Sequence, residues 1–195
     1  MMGRRSRAAL AAVSAVAALA LTAPAADAAP QDTSTTATLS GDRPVFKMPF
    51  LCGQRWLGNN WNGHSPAHSI DWNHYNSAGS PDDLGRRVFA SAGGKVLRSF
   101  YAKNTGYGNT VVIGHGNGWR TRYAHLKSRA GLVRGDHVNR GQKIGRVGAT
   151  SALYNITPHL HYEQIHDGNV VVSRIQGVRW TDYLERYQTS KNRCG

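Results

Sequence analysis

Residues 95–126, KVLRSFYAKNTGYGNTVVIGHGNGWRTRYAHL, decide the fold of this chain. Three segments rich in apolar residues, Lys95 to Tyr101, Thr110 to Gly114 and Trp119 to Leu126, are separated by two glycine-rich turns. Short segments of this kind, with turn residues between them, predict β-strands. The links are too short for crossover helices, so neighbouring strands should pair antiparallel.

The same pattern continues on both sides of this stretch. Arg87 to Ser91 and His159 to His166 also predict strands, and glycines punctuate two further short strands around Val138 and Ile144. Thr181 to Gln188 is the one segment that weakly predicts a helix. We therefore predict an all-β domain built on a mostly antiparallel sheet.

The N-terminus has the three parts of a secretory signal peptide. Three arginines within the first seven residues precede an apolar run from Ala8 to Leu21, and Ala26-Asp27-Ala28 offers small residues for cleavage. The apolar run is shorter than the roughly 20 residues that a membrane-spanning helix needs. We therefore expect residues 1–28 to be removed and the protein to be secreted, without a stable membrane anchor.

Residues 29–44 predict a flexible leader or a short pro-segment. Five of the eight residues from Gln31 to Thr38 are Ser or Thr, which leaves this segment little to bury. Residues 45–195 have a common size for one domain with its own core, and they contain no internal repeat. One folded domain, most simply a monomer, is the expectation.

The chain is strongly basic, with a formal net charge of +13, or +11 without residues 1–28. Such a charge favours an anionic surface, which for an exported protein means a wall polymer, an anionic lipid or a nucleic acid. An ordinary solvated basic surface is the alternative, and the charge alone does not decide between them. No nucleic-acid-binding motif accompanies the charge, so we expect no nucleic-acid partner.

Two cysteines, Cys52 and Cys194, lie near the two ends of the predicted domain. In an oxidising compartment, a disulfide between them is the default expectation. Their spacing excludes a zinc site made of several cysteines.

Nine histidines are an unusual number for a small domain, and histidine is both the commonest metal ligand and a natural acid or base near neutral pH. The segment Pro158-His159-Leu160-His161-Tyr162-Glu163 is the most informative. Side chains two residues apart on a strand share a face, so His159 and His161 should project into one site. Glu163 shares that face and either orients a ligand or lies on the surface.

An earlier segment, GHSPAHSIDW at residues 63–72, supplies further histidines and an aspartate. A catalytic zinc typically takes three protein ligands, often histidines with a carboxylate, and keeps a fourth position for water. Two separate segments that supply His, Asp and His would meet this requirement.

Taken in order, these segments resemble the lysostaphin-type zinc metallopeptidases, the family that includes the β-lytic enzymes. The resemblance covers about His64 to Glu163 and includes VFASAGGKV at 88–96, GYGNTVVIGHG at 106–116, TRYAHL at 121–126, GQKIG at 141–145 and HLH at 159–161. It implies the fold of that peptidase domain, with long loops around a groove. It also implies a Zn²⁺-dependent peptidoglycan hydrolase.

The resemblance assigns roles to five residues. It implies that His64, Asp71 and His161 are the zinc ligands. It implies that His125 and His159 form a catalytic pair beside the metal, without dividing the two roles between them.

The choice of the first ligand needs an argument, because many members place the aspartate four residues after the histidine. Here Asp71 follows His68 by three residues and His64 by seven. Residues i and i+3 on a strand point to opposite faces, so His68 would need a bulge to share a metal with Asp71. The His-Ser-Pro-x-x-Ser-x-Asp arrangement also resembles a branch that uses the earlier histidine. We therefore predict His64, and we expect His68 to be a loop residue.

The leading hypothesis is a secreted, wall-associated zinc endopeptidase that hydrolyses peptide bonds in peptidoglycan stem peptides or cross-bridges. An inactive relative that binds the wall or regulates another hydrolase is the alternative, and a missing ligand or catalytic histidine would favour it; all five positions are filled. A biotin- or lipoyl-carrier hairpin around Gly135, Gly141 and Gly145 is a further alternative. Carrier hairpins place their lysine at the tip, whereas Lys143 lies within its segment.

Overall fold

The computed structural model describes residues 42–61 and 63–194. The predicted signal peptide, residues 1–28, and the predicted leader up to residue 41 lie outside the described residues. Within the described ranges, no helix has the length and hydropathy that crossing a membrane requires.

The regular structure of the described residues consists of thirteen short β-strands, without a helix. In chain order they are β1 (Arg55–Asn59), β2 (Ile70–Asn73), β3 (Arg87–Phe89), β4 (Gly94–Ala102), β5 (Gly108–Gly114), β6 (Trp119–Ala124), β7 (His137–Val138), β8 (Lys143–Arg146), β9 (Leu160–His166), β10 (Asn169–Val171), β11 (Ser173–Ile175), β12 (Val178–Trp180) and β13 (Glu185–Thr189). The predicted all-β fold is confirmed.

Nine of these strands form one sheet in the order β13-β1-β2-β9-β6-β5-β4-β7, with β10 paired to β9. Two smaller sheets, β3–β8 and β11–β12, complete the set. Every ladder is antiparallel, as predicted. Strands β4, β5 and β6 of the 95–126 stretch are consecutive neighbours, because their glycine-rich turns leave no room for any other connection.

Large aromatic side chains fill the core beneath the centre of the sheet. Trp56, Trp72, Tyr123 and Tyr162 are each 0% exposed, and they alternate along their strands with side chains on the other face. Complete burial of a large apolar side chain contributes about 1.5–3 kcal/mol to folding. This core fixes which face of β2 and β9 is left for chemistry.

A glycine in β1 lets two of the indoles approach the backbone. A Cβ at Gly58 would lie 2.5 Å from Trp180 and 2.8 Å from Trp72, closer than carbon atoms can pack. The rings of Trp72 and Trp180 meet edge to face with centroids 4.8 Å apart, a favourable aromatic geometry. A larger residue at position 58 would have to displace this pair.

The helix predicted for Thr181 to Gln188 is wrong. Its second half belongs to β13, which pairs with β1 at the edge of the sheet, and Tyr183 in the preceding turn has a left-handed φ of 63°. Alternating exposed and half-buried side chains along β13 suit an edge strand. Backbone pairing with β1 therefore outweighs the weak local helix preference.

The ends of the predicted strands also differ in detail. The strand predicted for Trp119 to Leu126 stops at Ala124, because His125 adopts a left-handed φ of 58° that no strand continues through. Strands β1 and β10 to β12 had no counterpart in the sequence prediction.

A disulfide joins Cys52 to Cys194, as predicted, with Cα atoms 5.1 Å apart. The bond closes a loop across 142 positions of sequence. Cross-linking residues so far apart restricts the unfolded chain and, in the chain-entropy view, adds about 4–5 kcal/mol to stability.

The double variant Cys52→Ser/Cys194→Ser should lose about 2–5 kcal/mol of unfolding free energy, because its unfolded chain regains this freedom. Urea denaturation of the two proteins measures the loss. Each single variant, treated with an alkylating agent, should show the same decrease as the double variant. Equal stability of the double variant and the parent protein would contradict this account.

Candidate metal and active site

One face of β2 and β9 carries a cluster of potential metal ligands. Asp71 on β2 lies directly opposite His161 on β9 in the ladder, and His64 comes from the loop before β2. One ligand atom from each of these three residues lies within 4.8 Å of the other two. His64 Nε2 is 2.8 Å from Asp71 Oδ2, and His161 Nδ1 is 3.1 Å from Asp71 Oδ1.

Ser69 fixes the proton on the ring of His64. Its hydroxyl is fully buried, donates to the carbonyl of Pro66 and lies 2.7 Å from His64 Nδ1. Because the single hydroxyl proton is used on the carbonyl, the Ser69 oxygen accepts and His64 Nδ1 donates. The lone pair of His64 is then on Nε2, the atom that faces Asp71.

Glu163 fixes the ring of His161 in the complementary way. Its carboxylate is 0% exposed and accepts from His161 Nε2 at 3.0 Å. The other ring atom, Nδ1, therefore carries the lone pair of the neutral imidazole and faces Asp71. The two histidines thus present different nitrogens, Nε2 of His64 and Nδ1 of His161, to one point.

Two further side chains hold the Glu163 carboxylate. Arg122 Nη1 lies 2.9 Å and 3.0 Å from its two oxygens, and the Tyr107 hydroxyl donates to it at 2.7 Å. Arg122 is directly opposite Glu163 in the β6–β9 ladder, and its guanidinium lies 4.4 Å from the Tyr107 ring centroid. Every oxygen of this buried carboxylate therefore has a donor, as a buried charge requires.

The charges of the cluster favour a cation. Burial alone would raise the pKa of Asp71, but hydrogen bonds with His161 and His64 hold it well below its usual range. Burial alone would lower the pKa of His161, but Asp71 and Glu163 raise it to about 9. At neutral pH the two carboxylates therefore favour one positive charge at this point, either a second proton on His161 or, in its place, a metal ion at Nδ1.

His68 lies away from this cluster. Its φ is 69°, and its ring Nδ1 is 2.8 Å from Asp182 Oδ2, in the turn before β13. The structure therefore places His64, and not His68, next to Asp71.

His125 and His159 lie beside the three clustered residues. The ring centroids of His125 and His159 are 4.7 Å apart, and that of His125 is 5.7 Å from that of His161. His125 Nδ1 donates to the Thr150 carbonyl at 3.0 Å, and His159 Nδ1 donates to the Thr157 carbonyl at 2.8 Å. In each ring Nε2 is then the nitrogen left for chemistry, and that of His159 is 3.7 Å from Asp71 Oδ1.

Burial and the proximity of His159 lower the pKa of His125 to about 4, so its imidazole is neutral near pH 7. The left-handed φ of 58° at His125 is a conformation that a residue with a side chain seldom adopts. Backbone hydrogen bonds from His125 and Leu126 to Tyr107 and Asn109 hold the segment in place. Such strain is common at functional sites.

All five predicted site residues line one cavity of about 380 Å³. Trp61, which is 56% exposed, and Tyr154, which is 65% exposed, add aromatic surface to it. Gly106 also lines it, where a Cβ would meet the Tyr154 ring at 2.6 Å. A second cavity of about 500 Å³ shares Trp61, Asp71, Ile156 and His159 with the first, so the two form one longer groove.

Three further histidines lie outside this cluster. His115 bonds to the Gly93 carbonyl and to Thr121, His74 pairs with Asp82, and His166 stacks on Trp119 with ring centroids 4.3 Å apart. These are structural contacts.

Three contributors to the site were not identified from the sequence. Ser69, Tyr107 and Arg122 stand in the sequence only as members of longer segments, without a sign of their own that they contact the site. The strand parity of residue 163 was the one available signal for this network, since Arg122 lies opposite it only once the β6–β9 register is known.

The donor set fits a zinc ion. Two imidazole nitrogens and a carboxylate oxygen are a common catalytic zinc set, and bonds of about 2.0–2.2 Å around a tetrahedral ion put ligand atoms roughly 3.3 Å apart. The separations of 2.8 Å and 3.1 Å from Asp71 to the two histidines are close to that spacing.

Comparison with known proteins supports a peptidase. The curated relatives include the peptidoglycan DD-endopeptidase ShyA of Vibrio cholerae serotype O1, 44% identical over 89 residues, and the DD-carboxypeptidase/endopeptidase Mpg of Neisseria meningitidis serogroup B, 43% identical over 90 residues. Each alignment covers 45% of this chain, and the chain spans 19% of the length of either relative.

Solved structures show the same fold. A zinc-containing peptidase from Vibrio cholerae has a TM-score of 0.51 at 28% identity, covering 66% of this chain and 39% of that one. The deep-sea M23 metalloprotease pseudoalterin has a TM-score of 0.55 at 19% identity, covering 77% of this chain and 96% of that one. The second likeness concerns the fold alone.

Residues 79–173 match the sequence profile of peptidase family M23. The matched range includes β3 to β10 and carries His125, His159 and His161, while His64 and Asp71 precede it. Over residues 79–173, just under half of its length, the chain is therefore similar to peptidase family M23.

Proposed function

We propose that this protein is an exported zinc metalloendopeptidase that hydrolyses peptide bonds in the stem peptides or cross-bridges of peptidoglycan. The convergence of His64, Asp71 and His161, with His125 and His159 beside them in one groove, is the observation that carries the proposal. The family and the peptidoglycan endopeptidases among its relatives support the substrate class.

His64 Nε2, a carboxylate oxygen of Asp71 and His161 Nδ1 would hold the zinc. When bound, zinc would act as a Lewis acid on the scissile carbonyl and would lower the pKa of a water molecule to about 7. Ser69 holds Nδ1 of His64 and Glu163 holds Nε2 of His161, so His64 Nε2 and His161 Nδ1 are the nitrogens aimed at the site.

His125 and His159 would move protons at their Nε2 atoms. Neutral His125 donates its only proton to Thr150 and offers just the Nε2 lone pair, so it suits acceptance of a proton from the attacking water. His159 would then stabilise the developing oxyanion or protonate the leaving amine, which requires a proton on Nε2. The Thr150 and Thr157 carbonyls orient the two rings through Nδ1, so Nε2 of each ring stays available for proton transfer.

The groove supports a substrate of small, uncharged residues. Among the described residues, its two cavities are lined by no lysine or arginine, and Asp71, a proposed ligand, is the only carboxylate there. Asn59, Asn73 and Asn155 line one part, and Trp61 extends along both. Amides can bond to a peptide backbone of either chirality, and they impose no charge on its side chains.

The location follows from the substrate and the disulfide. Peptidoglycan lies outside the membrane, and the Cys52–Cys194 bond is compatible with an oxidising compartment. We therefore propose that the protein is secreted and associated with the cell wall, with residues 1–28 as its signal peptide.

The purified domain should bind about one zinc per chain and lose peptidoglycan hydrolysis after chelation. His64→Ala and His161→Ala should lose zinc as well as activity, because each removes one of three ligands. Elemental analysis and digestion of purified peptidoglycan measure the two properties. His68→Ala is the matched control and should keep both; zinc loss in His68→Ala but not in His64→Ala would overturn the choice of ligand.

His125→Ala and His159→Ala should retain zinc and lose about 10²–10⁴-fold in turnover, because each removes a proton-transfer or oxyanion group. Turnover comes from mass analysis of released peptides, and zinc content is measured on the same samples. Wild-type rates in both variants would refute the mechanism. Inactivity of the parent protein, with zinc bound, would favour the wall-binding alternative.

Ser69→Ala and Glu163→Gln should each weaken zinc affinity about 10–100-fold, because the ligand imidazoles lose their fixed tautomer. Competition against a chromogenic chelator measures the affinity directly, without any reliance on activity. Ser173→Ala removes another fully buried serine hydroxyl and serves as the control. Unchanged zinc affinity in both site variants would show that these contacts do not orient the ligands.

A further inference from the structure

A basic cavity lies on another part of the domain. It has a volume of about 630 Å³ and is lined by Arg43, Arg174 and Arg179 together with apolar residues that include Phe46 and Val172. None of the described residues that line it is acidic. It therefore gathers three positive charges in one recess.

Two of the arginines face each other across a hairpin. Arg174 on β11 is directly opposite Arg179 on β12 in the ladder, so their side chains share one face. Like charges directly opposite each other in an antiparallel pair destabilise it. A negative partner between the two guanidiniums would remove this repulsion.

The third arginine is held over the same recess. Arg43 Nη1 donates to the Val172 carbonyl at 2.9 Å, and its guanidinium lies 4.6 Å from the Trp119 ring centroid. Burial and the nearby charges of Arg174 and Arg179 lower the pKa of Arg43. The three groups are thus close enough to repel one another.

No protein carboxylate neutralises them in the described part of the chain. The arginine–carboxylate ion pairs among residues 42–61 and 63–194 are Arg86 with Asp82 and Arg122 with Glu163, and neither involves the basic cavity. Guanidinium groups bind phosphate oxygens through forked N–H donors, so three arginines around one recess without a counter-charge favour a phosphate-bearing ligand.

We propose that the cavity of Arg43, Arg174 and Arg179 binds a phosphodiester-bearing wall polymer and so retains the enzyme on its substrate. The recognition of phosphodiesters follows from the arginines, whereas the choice of a wall polymer rests on the proposed function. The recess accommodates a phosphate group, and its apolar wall contacts the alcohol portion of the polymer.

Other anionic partners suit the cavity less well. A membrane surface is flat and favours apolar side chains that insert into it, whereas these guanidiniums line a recess. Single-stranded nucleic acid favours exposed aromatic rings for base stacking. Trp119, whose ring lies under Arg43, is 6% exposed and also stacks with His166.

The position of the cavity leaves the catalytic groove free. The Trp119–His166 pair, against which Arg43 lies, is at the opposite end of the β6–β9 ladder from Ala124 and His161. Five residue steps along a strand separate the two ends by about 17 Å. A polymer held in the basic cavity can therefore coexist with a peptide in the groove.

The test compares two double variants that change the net charge equally. Arg174→Gln/Arg179→Gln alters the cavity, and Arg134→Gln/Arg140→Gln alters two exposed arginines elsewhere. Calorimetric titration with purified poly(glycerol phosphate) at low ionic strength should show saturable binding to the parent protein. The dissociation constant should rise at least about tenfold in the first variant and stay within about twofold in the second.

Anionic lipid vesicles and single-stranded DNA serve as competing probes. Equal weakening of both double variants would overturn the site, as would absence of binding by the parent protein. Tighter, Arg174- and Arg179-dependent binding of vesicles or DNA would overturn the wall-polymer assignment. Hydrolysis of a soluble muropeptide should be unchanged in both double variants. Polymer binding should persist in His161→Ala. The two controls therefore separate a failure of catalysis from a failure of this binding site.

Discussion

The register between β2 and β9 is the constraint on which the site depends. Asp71 lies opposite His161, and the flanking pairs Ile70–Tyr162 and Trp72–Leu160 are fully buried on the other face. A slip of one residue would send the aspartate into the core and an indole into the groove. The hydrophobic core thus enforces the spacing of the polar cluster, because any other pairing exposes large apolar surface and buries a charge.

The remaining contributions depend on how the strands end. His64 precedes β2, His125 follows β6, and His159 precedes β9, so three of the five groups lie on short segments beside rigid strands. Each has its Nδ1 tied to a fixed oxygen: the Ser69 hydroxyl for His64, the Thr150 carbonyl for His125 and the Thr157 carbonyl for His159. The loops bring these side chains to the site, and the local hydrogen bonds fix the orientation of their rings.

Much of this arrangement was accessible from the sequence. The glycine-rich turns predict the β4–β5–β6 meander. Side chains two residues apart on a strand share a face, which predicts that His159, His161 and Glu163 lie together. The same parity argument led to the choice of His64, which lies beside Asp71 in the structure, whereas His68 pairs with Asp182. The weak helical preference of Thr181 to Gln188 gives the wrong prediction, because this short segment completes the edge of the sheet. Its conformation is set by pairing with β1. The Arg122–Glu163 contact could not be foreseen, since it exists only through a register between strands 41 positions apart.

The exposure of Trp61 lets the fluorescence of the groove be distinguished from that of the other tryptophans. All five tryptophans of the chain lie in the described part, and the other four, Trp56, Trp72, Trp119 and Trp180, are between 0% and 6% exposed. Soluble quenchers such as iodide reach the one indole that borders both cavities and leave the rest of the emission almost untouched. Intrinsic fluorescence of the unlabelled protein therefore reports occupancy of the groove, and it does so equally in variants that no longer turn over.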